Sequence, residues 1–409
     1  MRDGPWPGHA KDSPAYRRML LALVFAGLAT FAQLYSFQGL LTAVASEYDV
    51  SPSQAALSVS AATLGLALAV IPWSAVADRI GRRRSIAWAM SAAVVLGLLG
   101  AVAPSFPVLI GLRLLEGIAL GGVPATALVY LHEEVQKRHV AVAAGTYIAG
   151  TTLGGLTGRL VAGFIGDALG WRAGVLGVSL LAGGAVVTFL LLAPHARGFV
   201  PTVRGQGPSL LARLVMNVRS PPLLAVYAQG FLLMGAFVAV YNYLGFRLEA
   251  PPYLLPASVV SLLFLAYLAG TVTSRVAGDL SGRHGKLPVL LSAILVMVAG
   301  LSVTLAGHLP LVVVGLVIFT GGFFAAHSVA SGWTAVLATE GRAQAASLYN
   351  FAYYAGSSAV GWAGGLFFGR FGWPGVVAFT TALAGLAALL AAIALRGASG
   401  GAPSRRNLR

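Results

Sequence analysis

The stretch AGTYIAGTTLGGLTGRLVAGFIGDALGW, residues 144–171, returns without a gap as ASLYNFAYYAGSSAVGWAGGLFFGRFGW, residues 346–373. Tyr147 falls on Tyr349, Gly154 on Gly356, Gly163 on Gly365 and Trp171 on Trp373, an offset of 202 residues. A second match has nearly the same spacing: Asp78-Arg79-Ile80-Gly81-Arg82 meets Gly282-Arg283-His284-Gly285-Lys286 at an offset of 204. Chance recurrence of glycine and tryptophan in apolar segments would not produce two nearly equal offsets. The chain therefore reads as one architecture written twice.

What is repeated follows from composition. Of 409 residues 57% are hydrophobic and 10% charged, whereas a soluble domain carries about 25% charged residues. Such a chain has too little polar surface to clothe itself in water. The apolar content falls into twelve runs, near residues 19–45, 54–77, 84–103, 107–131, 140–166, 172–193, 222–246, 257–277, 287–307, 309–333, 343–368 and 374–396. Each approaches or exceeds the roughly 20 residues a helix needs to cross a bilayer. Fifty-two glycines and 20 prolines agree, since both are commoner in membrane helices than in soluble ones. The first run is long enough to stay as a span and lacks the short core of a cleavable signal peptide. The expected fold is an all-α membrane protein with twelve transmembrane helices in two pseudo-symmetric six-helix bundles. Its expected parts are an N-terminal tail 1–18, a bundle 19–194, a central loop 195–220, a bundle 221–396 and a C-terminal tail 397–409. Duplicated six-helix halves are a transporter architecture, with substrate bound near the bilayer midplane.

The net charge of +15 does not imply nucleic acid, because the basic residues cluster between apolar runs instead of lining a helix face. Counted from a cytoplasmic N-terminus, one side collects Arg79, Arg82–Arg84, Lys137, Arg138, Arg197, Arg204, Arg213, Arg219, Arg283, Lys286, Arg342, Arg396, Arg405, Arg406 and Arg409. The other holds Arg172, Arg247 and Arg370. By the positive-inside rule both termini are expected in the cytoplasm. The chain has no cysteine, which excludes disulfides, thiolate metal sites and cysteine nucleophiles. No metal, cofactor or phosphate-binding Gly-x-x-x-x-Gly-Lys-Ser/Thr loop is expected, and neither metal-ligand spacing nor a His/Ser/Asp constellation points to an enzyme.

Glu116 is the one carboxylate set deep in a span. At 1.5 Å per residue from the start of the fourth run it lies roughly 13–14 Å in, where an ionisable side chain is a functional candidate by default. Arg113 stands one turn earlier, on nearly the same face. Glycines 150, 154 and 158 recur every fourth residue, a spacing that lets two helix backbones approach closely.

The segment Ser74-Ala-Val-Ala-Asp78-Arg79-Ile-Gly81-Arg82-Arg83-Arg84 resembles the signature loop between the second and third helices of the major facilitator superfamily. Segments around Gln33 to Gln38, Tyr241 to Arg247, Gly322 to Trp333 and Ser347 to Ser358 are similar to the YnfM-like branch of that superfamily. That branch comprises bacterial inner-membrane proteins grouped with drug:proton antiporters and sugar-efflux permeases. One departure stands out: those antiporters carry a Gly-Pro kink in the fifth helix, where this chain has glycines and no proline.

The resemblance implies a gate built from Asp78, Arg79, Gly81, Arg82 and Arg283. Arg113 matches the arginine that proton-coupled families carry in the fourth helix. With Glu116 it reads as a proton-exchanging pair or as a permanent pair that locks the helix. His327, with its near-neutral intrinsic pKa, reads as a further proton-handling group or as a packing residue. Tyr35, Gln38, Arg159, Tyr241, Asn242, Tyr349, Asn350 and Tyr353 supply the aromatic, amide and cationic lining expected of a substrate site. The expected function is proton-coupled efflux of a small organic solute across the bacterial inner membrane by alternating access, carried out by a monomer. A proton symporter or facilitator importing a polar nutrient, and a sensor that binds without translocating, are the alternatives.

Overall fold

The computed structural model describes residues 6–199, 210–338 and 340–397, with the side chains of 210–213 left aside. Arg2, Arg204, Arg405, Arg406 and Arg409, and with them parts of the expected tails and central loop, lie outside the described residues. Eleven helical segments are long and apolar enough to cross a membrane. The last of them, Arg342–Ala394, bends at Gly372 into two, which makes the twelve spans the sequence predicts. No strand forms among the described residues.

In chain order the spans are α1 (Pro14–Leu34), α2 (Pro52–Ile80), α3 (Arg82–Ala101), α4 (Phe106–Glu134), α5 (Lys137–Leu169), α6 (Trp171–Leu192), α7 (Pro221–Leu248), α8 (Ala257–His284), α9 (Lys286–Val303) and α10 (Leu309–Leu337). They end with α11 (342–371) and α12 (373–394). A short helix, Leu210–Val218, lies in the central segment. The chain divides into two compact units, one of residues 1–205 with 248–264, the other of residues 206–247 with 265–409. The segment 248–264, between α7 and the first turns of α8, thus belongs to unit 1 although the helices on either side belong to unit 2.

Local sequence explains where helices start and stop. Ser51 caps α2, accepting from the Gln54 amide at 3.2 Å while the Gln54 side chain accepts from the Ser51 amide at 2.9 Å. This reciprocal box satisfies two of the donors a helix start leaves open. Gly81, with φ 89° and ψ 154°, separates α2 from α3. Gly285, with φ 86° and ψ 159°, separates α8 from α9. These backbone values suit glycine alone without strain, and their near identity carries the repeat from sequence into geometry. Gly170 (φ 89°) and Gly372 (φ 61°) form the second such pair, each just ahead of a repeated tryptophan.

The glycine ladder 150, 154, 158 packs within unit 1, against α1. A Cβ placed on Gly150 would lie 2.7 Å from the Val24 carbonyl oxygen, and one on Gly154 2.6 Å from the Leu28 Cα. In unit 2 the repeat-related Gly356 meets Phe231 of α7 in the same way, 2.6 Å from its Cα. The first and fifth helices of each half therefore cross with their backbones nearly touching, which only glycine permits.

Two differences from the sequence reading matter for function. The first apolar run is not one helix: α1 ends at Leu34, residues 35–40 turn, and a short helix resumes over Leu41–Tyr48. The α4 segment is likewise interrupted at Gly121. Hydropathy cannot see such breaks, because the residues in the turn are as buried as those in the helix.

Gly154→Val should force α1 and α5 apart. Overpacking of this kind costs about 1–3 kcal/mol, so the melting temperature of the purified protein should fall by several degrees. Gly184→Ala, where nothing lies within 4 Å of the added carbon, should leave the melt unchanged or raise it slightly.

Candidate functional site

The broken end of α1 is the place to begin. A helix end leaves its last carbonyls without intrahelical donors, and at a buried end such as Gln33–Leu34 the protein must replace them. Ser36 donates its amide and hydroxyl to the Gln33 carbonyl, and Arg113, reaching across from α4, supplies the donor for Leu34 and adds one to Gln33. Its Nη2 donates to the Leu34 carbonyl at 2.8 Å and its Nη1 to the Gln33 carbonyl at 3.2 Å, while Nε donates to the Ser58 carbonyl of α2 at 2.7 Å. The Phe37 ring lies beneath the guanidinium at 4.6 Å. The same Nη1 pairs with Glu116 Oε2 at 2.5 Å, both residues being buried.

Glu116 is held on its other oxygen by the Gln33 side chain, whose Nε2 donates to Oε1 at 3.3 Å and to the Ala93 carbonyl of α3 at 3.0 Å. Room for the carboxylate comes from Gly97, where an added Cβ would lie 3.3 Å from Oε1 and 2.7 Å from the Ser179 hydroxyl. Arg113 and Glu116 thus form a closed polar knot joining α1, α2, α3 and α4, with α6 at its edge. Gln33, its third member, escaped the sequence reading as a site residue. The available signal was a lone amide in the middle of an apolar span.

Three of the expected lining residues come together on the far side of the same turn. Arg159 Nε donates to Gln38 Oε1 at 2.7 Å and Nη1 to the Gly155 carbonyl at 2.6 Å. Its guanidinium lies over the Tyr35 ring at 4.2 Å and near the Phe264 ring at 4.8 Å. Residues 35–38 therefore alternate between two buried arginines, Phe37 on Arg113, Tyr35 and Gln38 on Arg159.

Unit 2 gathers its candidates around aromatic rings. His327 Nδ1 and the Tyr349 hydroxyl are 2.9 Å apart, the imidazole stacks parallel to Phe323, and Tyr353 leans on it at 4.8 Å. Two turns from His327 on α10, Thr320 and the Tyr241 hydroxyl share a hydrogen bond of 2.7 Å. Phe237 stacks on Phe323 at 4.0 Å and ties the two groups into one cluster. Tyr241 and Asn242 are buried inside this unit, and Asn242 rests against Gly361. Asn350 is exposed and stands apart from the cluster.

At the Gly81 end of unit 1, Arg82 is the centre of a clamp. Nη1 pairs with Asp78 at 2.5 Å across the turn, and Nη2 and Nε hold Glu133 at the end of α4, at 2.9 and 3.1 Å. The Phe199 ring covers the guanidinium at 5.2 Å. Glu133 was not anticipated from sequence, because its partner is 51 residues away. Arg79 and Arg283 are exposed and take no part in this clamp.

Known proteins resemble the chain in the same terms. The Major Facilitator Superfamily matches residues 21–358. The inner membrane transport protein YnfM of Escherichia coli (strain K12) is 39% identical over 93% of this chain and 91% of its own length. The MFS-type transporter YybF of Bacillus subtilis (strain 168) is 37% identical over 91% of this chain and 92% of its own. Among solved structures, a bacterial homologue of the human lysosomal transporter Spinster, inward-facing and occupied, superposes with a TM-score of 0.77 at 17% identity, covering 94% of this chain and 98% of that one. The xylose transporter XylE of Escherichia coli gives 0.72 at 15% identity over 93% and 97%. These structural likenesses establish the fold.

Arg113→Ala removes the donor of the buried Leu34 carbonyl, one of the donors of Gln33 and of Ser58, and leaves Glu116 without its counter-ion. Breaking a buried pair from one side costs about 3–5 kcal/mol, so this variant should melt far below the parent or fail to accumulate. Arg113→Lys, a point charge without the planar fork, should recover only part of the loss.

Proposed function

This chain belongs to the major facilitator superfamily and is a multi-pass membrane transporter, not an enzyme, and from that premise we propose that it exports a small organic solute from the bacterial cytoplasm in exchange for protons. In this reading both termini and the Asp78–Arg84 loop face the cytoplasm, the tails and central loop carry the topogenic charge, and the protein works as a monomer in the inner membrane. Alternating access of two six-helix halves moves the solute. Tyr35, Gln38 and Arg159 on one half, and His327, Tyr349, Tyr353, Tyr241 and Asn242 on the other, contribute the lining, with Asn350 at its margin. Asp78, Gly81 and Arg82 form the gate that Glu133 closes, with Arg79 and Arg283 steering the loops at anionic headgroups.

The observation that carries the proton-coupled part is the arrangement of donors on Arg113. Three of its hydrogen bonds go to backbone carbonyls and one to Glu116. Protonating Glu116 would weaken the last and leave the other three, so the carboxyl can change charge without unpinning α1. Gln33 serves either form, donating to a carboxylate or to the carbonyl oxygen of a carboxylic acid.

The test is transport by purified protein in proteoliposomes under an imposed proton gradient, with solutes first selected by thermal shift. Glu116→Gln should keep the melt within a few degrees, still exchange solute down its gradient, and lose accumulation driven by protons by at least about tenfold, the loss expected of a coupling group. Undiminished proton-driven accumulation by this variant would remove Glu116 from the mechanism.

A further inference from the structure

Segment 248–264 is a strap: it leaves unit 2 at Arg247, joins unit 1, and returns to unit 2 after Phe264. Two hydroxyl–carboxylate bonds tie it down, in opposite senses. Thr42, on the short helix after the α1 break, donates to Glu249 Oε2 at 2.6 Å, and Ser258 of the strap donates to Asp167 Oδ2 near the end of α5, also at 2.6 Å. Glu249 and Asp167 line one cavity of about 460 Å³ together with Thr42, Ser46 and Pro256. Packing reinforces the seat: a Cβ on Gly39 would lie 3.1 Å from the Ser261 hydroxyl, so the strap's helical end rests directly on the turn that carries Tyr35 and Gln38.

We propose that Glu249 and Asp167 make this contact a proton-operated latch, which holds the strap on unit 1 when Glu249 is protonated and weakens its hold when Glu249 is charged. Two carboxylates in one cavity repel when both are ionised. A single proton removes that repulsion while leaving an oxygen to accept from Thr42. Asp167 is the charged group facing Glu249 from α5. The short helix presents Thr42 and Ser46 to the cavity; its Glu47 is engaged by Arg172 at 2.8 Å and by the Trp171 indole. Arg247, two residues before Glu249, is turned to the carbonyls of Thr304 and Ala306.

Burial pushes the Glu249 carboxyl up to about 7, with the Thr42 hydroxyl opposing and the Asp167 charge adding to the rise. The ordinary carboxyl value applies to the released strap. A docked state with the higher value gains hold at low pH, and the gain is lost as pH rises through about 7. Because both ends of the strap continue into helices of unit 2, the latch would couple external acidity to the step in which the halves move. That use rests on the proton-exchange reading above; the latch itself is measured without transport.

The chain lacks cysteine, so V102C and L254C, at positions 70% and 67% exposed, give one spin-label pair between α3's end and the strap. In nanodiscs, the ratio of the short-distance to the long-distance population should fall about thirtyfold between about pH 5.5 and about pH 8.5. Glu249→Gln should hold the short distance across that range. Asp167→Asn should move the midpoint to lower pH and Thr42→Val to higher pH, opposite shifts that a merely structural contact would not produce. A parent distance distribution that ignores pH, or a Glu249→Gln variant that keeps the parent slope, overturns the latch. If the distances respond to pH while solute flux ignores a proton gradient, the latch stands and the coupled-transport reading falls; proton-driven flux with pH-independent distances overturns the latch alone.

Discussion

A helix that breaks inside the packed protein leaves buried carbonyls without donors, and the break is tolerated only where protein groups take the place of water. In this chain that requirement falls on Arg113. Its planar fork reaches the freed carbonyl of Leu34, the Gln33 carbonyl that Ser36 also serves and, on the other side, the Ser58 carbonyl of α2. A guanidinium can do this because its five donors are fixed in one plane and stay charged. Once a permanent cation is buried, a carboxylate nearby offsets its charge, and Glu116 occupies that place with Gln33 and Gly97 shaping the seat. The turn over residues 35–40, the pair on α4 and the glycine on α3 therefore follow from one another. Tyr35 and Gln38 are presented to Arg159 by the same irregular backbone.

The other half shows what happens without the break. The segments Gly111-Leu112 and Gly315-Leu316 correspond at an offset of 204, as do Gly117 and Gly321, which sets Val317 opposite Arg113 and Thr320 opposite Glu116. There α7 runs unbroken from Pro221 to Leu248 and frees no carbonyls, so no arginine is needed, and Thr320 bonds Tyr241 instead. The halves also agree by different means. Arg172 lies over Trp171 and donates to the Ala101 and Ala103 carbonyls at the end of α3; Arg247 lies over Trp373 and donates to the Thr304 and Ala306 carbonyls at the end of α9. One arginine starts α6 and the other ends α7. The repeated backbone sets the demand at the helix end, and each half meets it from a different part of its sequence.

Much of this was legible because it depends on local spacing. Twelve apolar runs, the Gly81 and Gly285 turns, the Gly170–Trp171 and Gly372–Trp373 pairs and the four-residue glycine period are all written in the order of residues, and the helices obey them. Arg113 and Glu116 were legible as a pair because one turn separates them. What the pair holds was not, since the Ser58 and Leu34 carbonyls are backbone atoms 55 and 79 residues away. Glu133 and Glu249 carry no local signal for the same reason: Arg82 and Thr42, which give them meaning, meet them only in the folded chain. The break in α1 left no trace in hydropathy, although the run Tyr-Ser-Phe-Gln-Gly at residues 35–39 combines small, amide and aromatic residues with a glycine, as a buried turn requires.

The two carboxyls singled out here differ in a way that suits different tasks. Glu116 is enclosed by groups of fixed identity: a guanidinium on one oxygen, an amide on the other, a glycine behind. Any change in its charge would be felt first by Arg113, its ion-pair partner. Glu249 sits beside a like charge, on a cavity, with one hydroxyl donor; its protonation relieves repulsion and asks nothing of its neighbours. On the two proposals above, the buried carboxyl with an answering cation would tie a proton to a conformational preference, whereas the edge carboxyl facing another acid would tie ambient pH to the strength of a single contact. Arg113 is compatible with the first, because without Glu116 it would still hold the Leu34, Gln33 and Ser58 carbonyls.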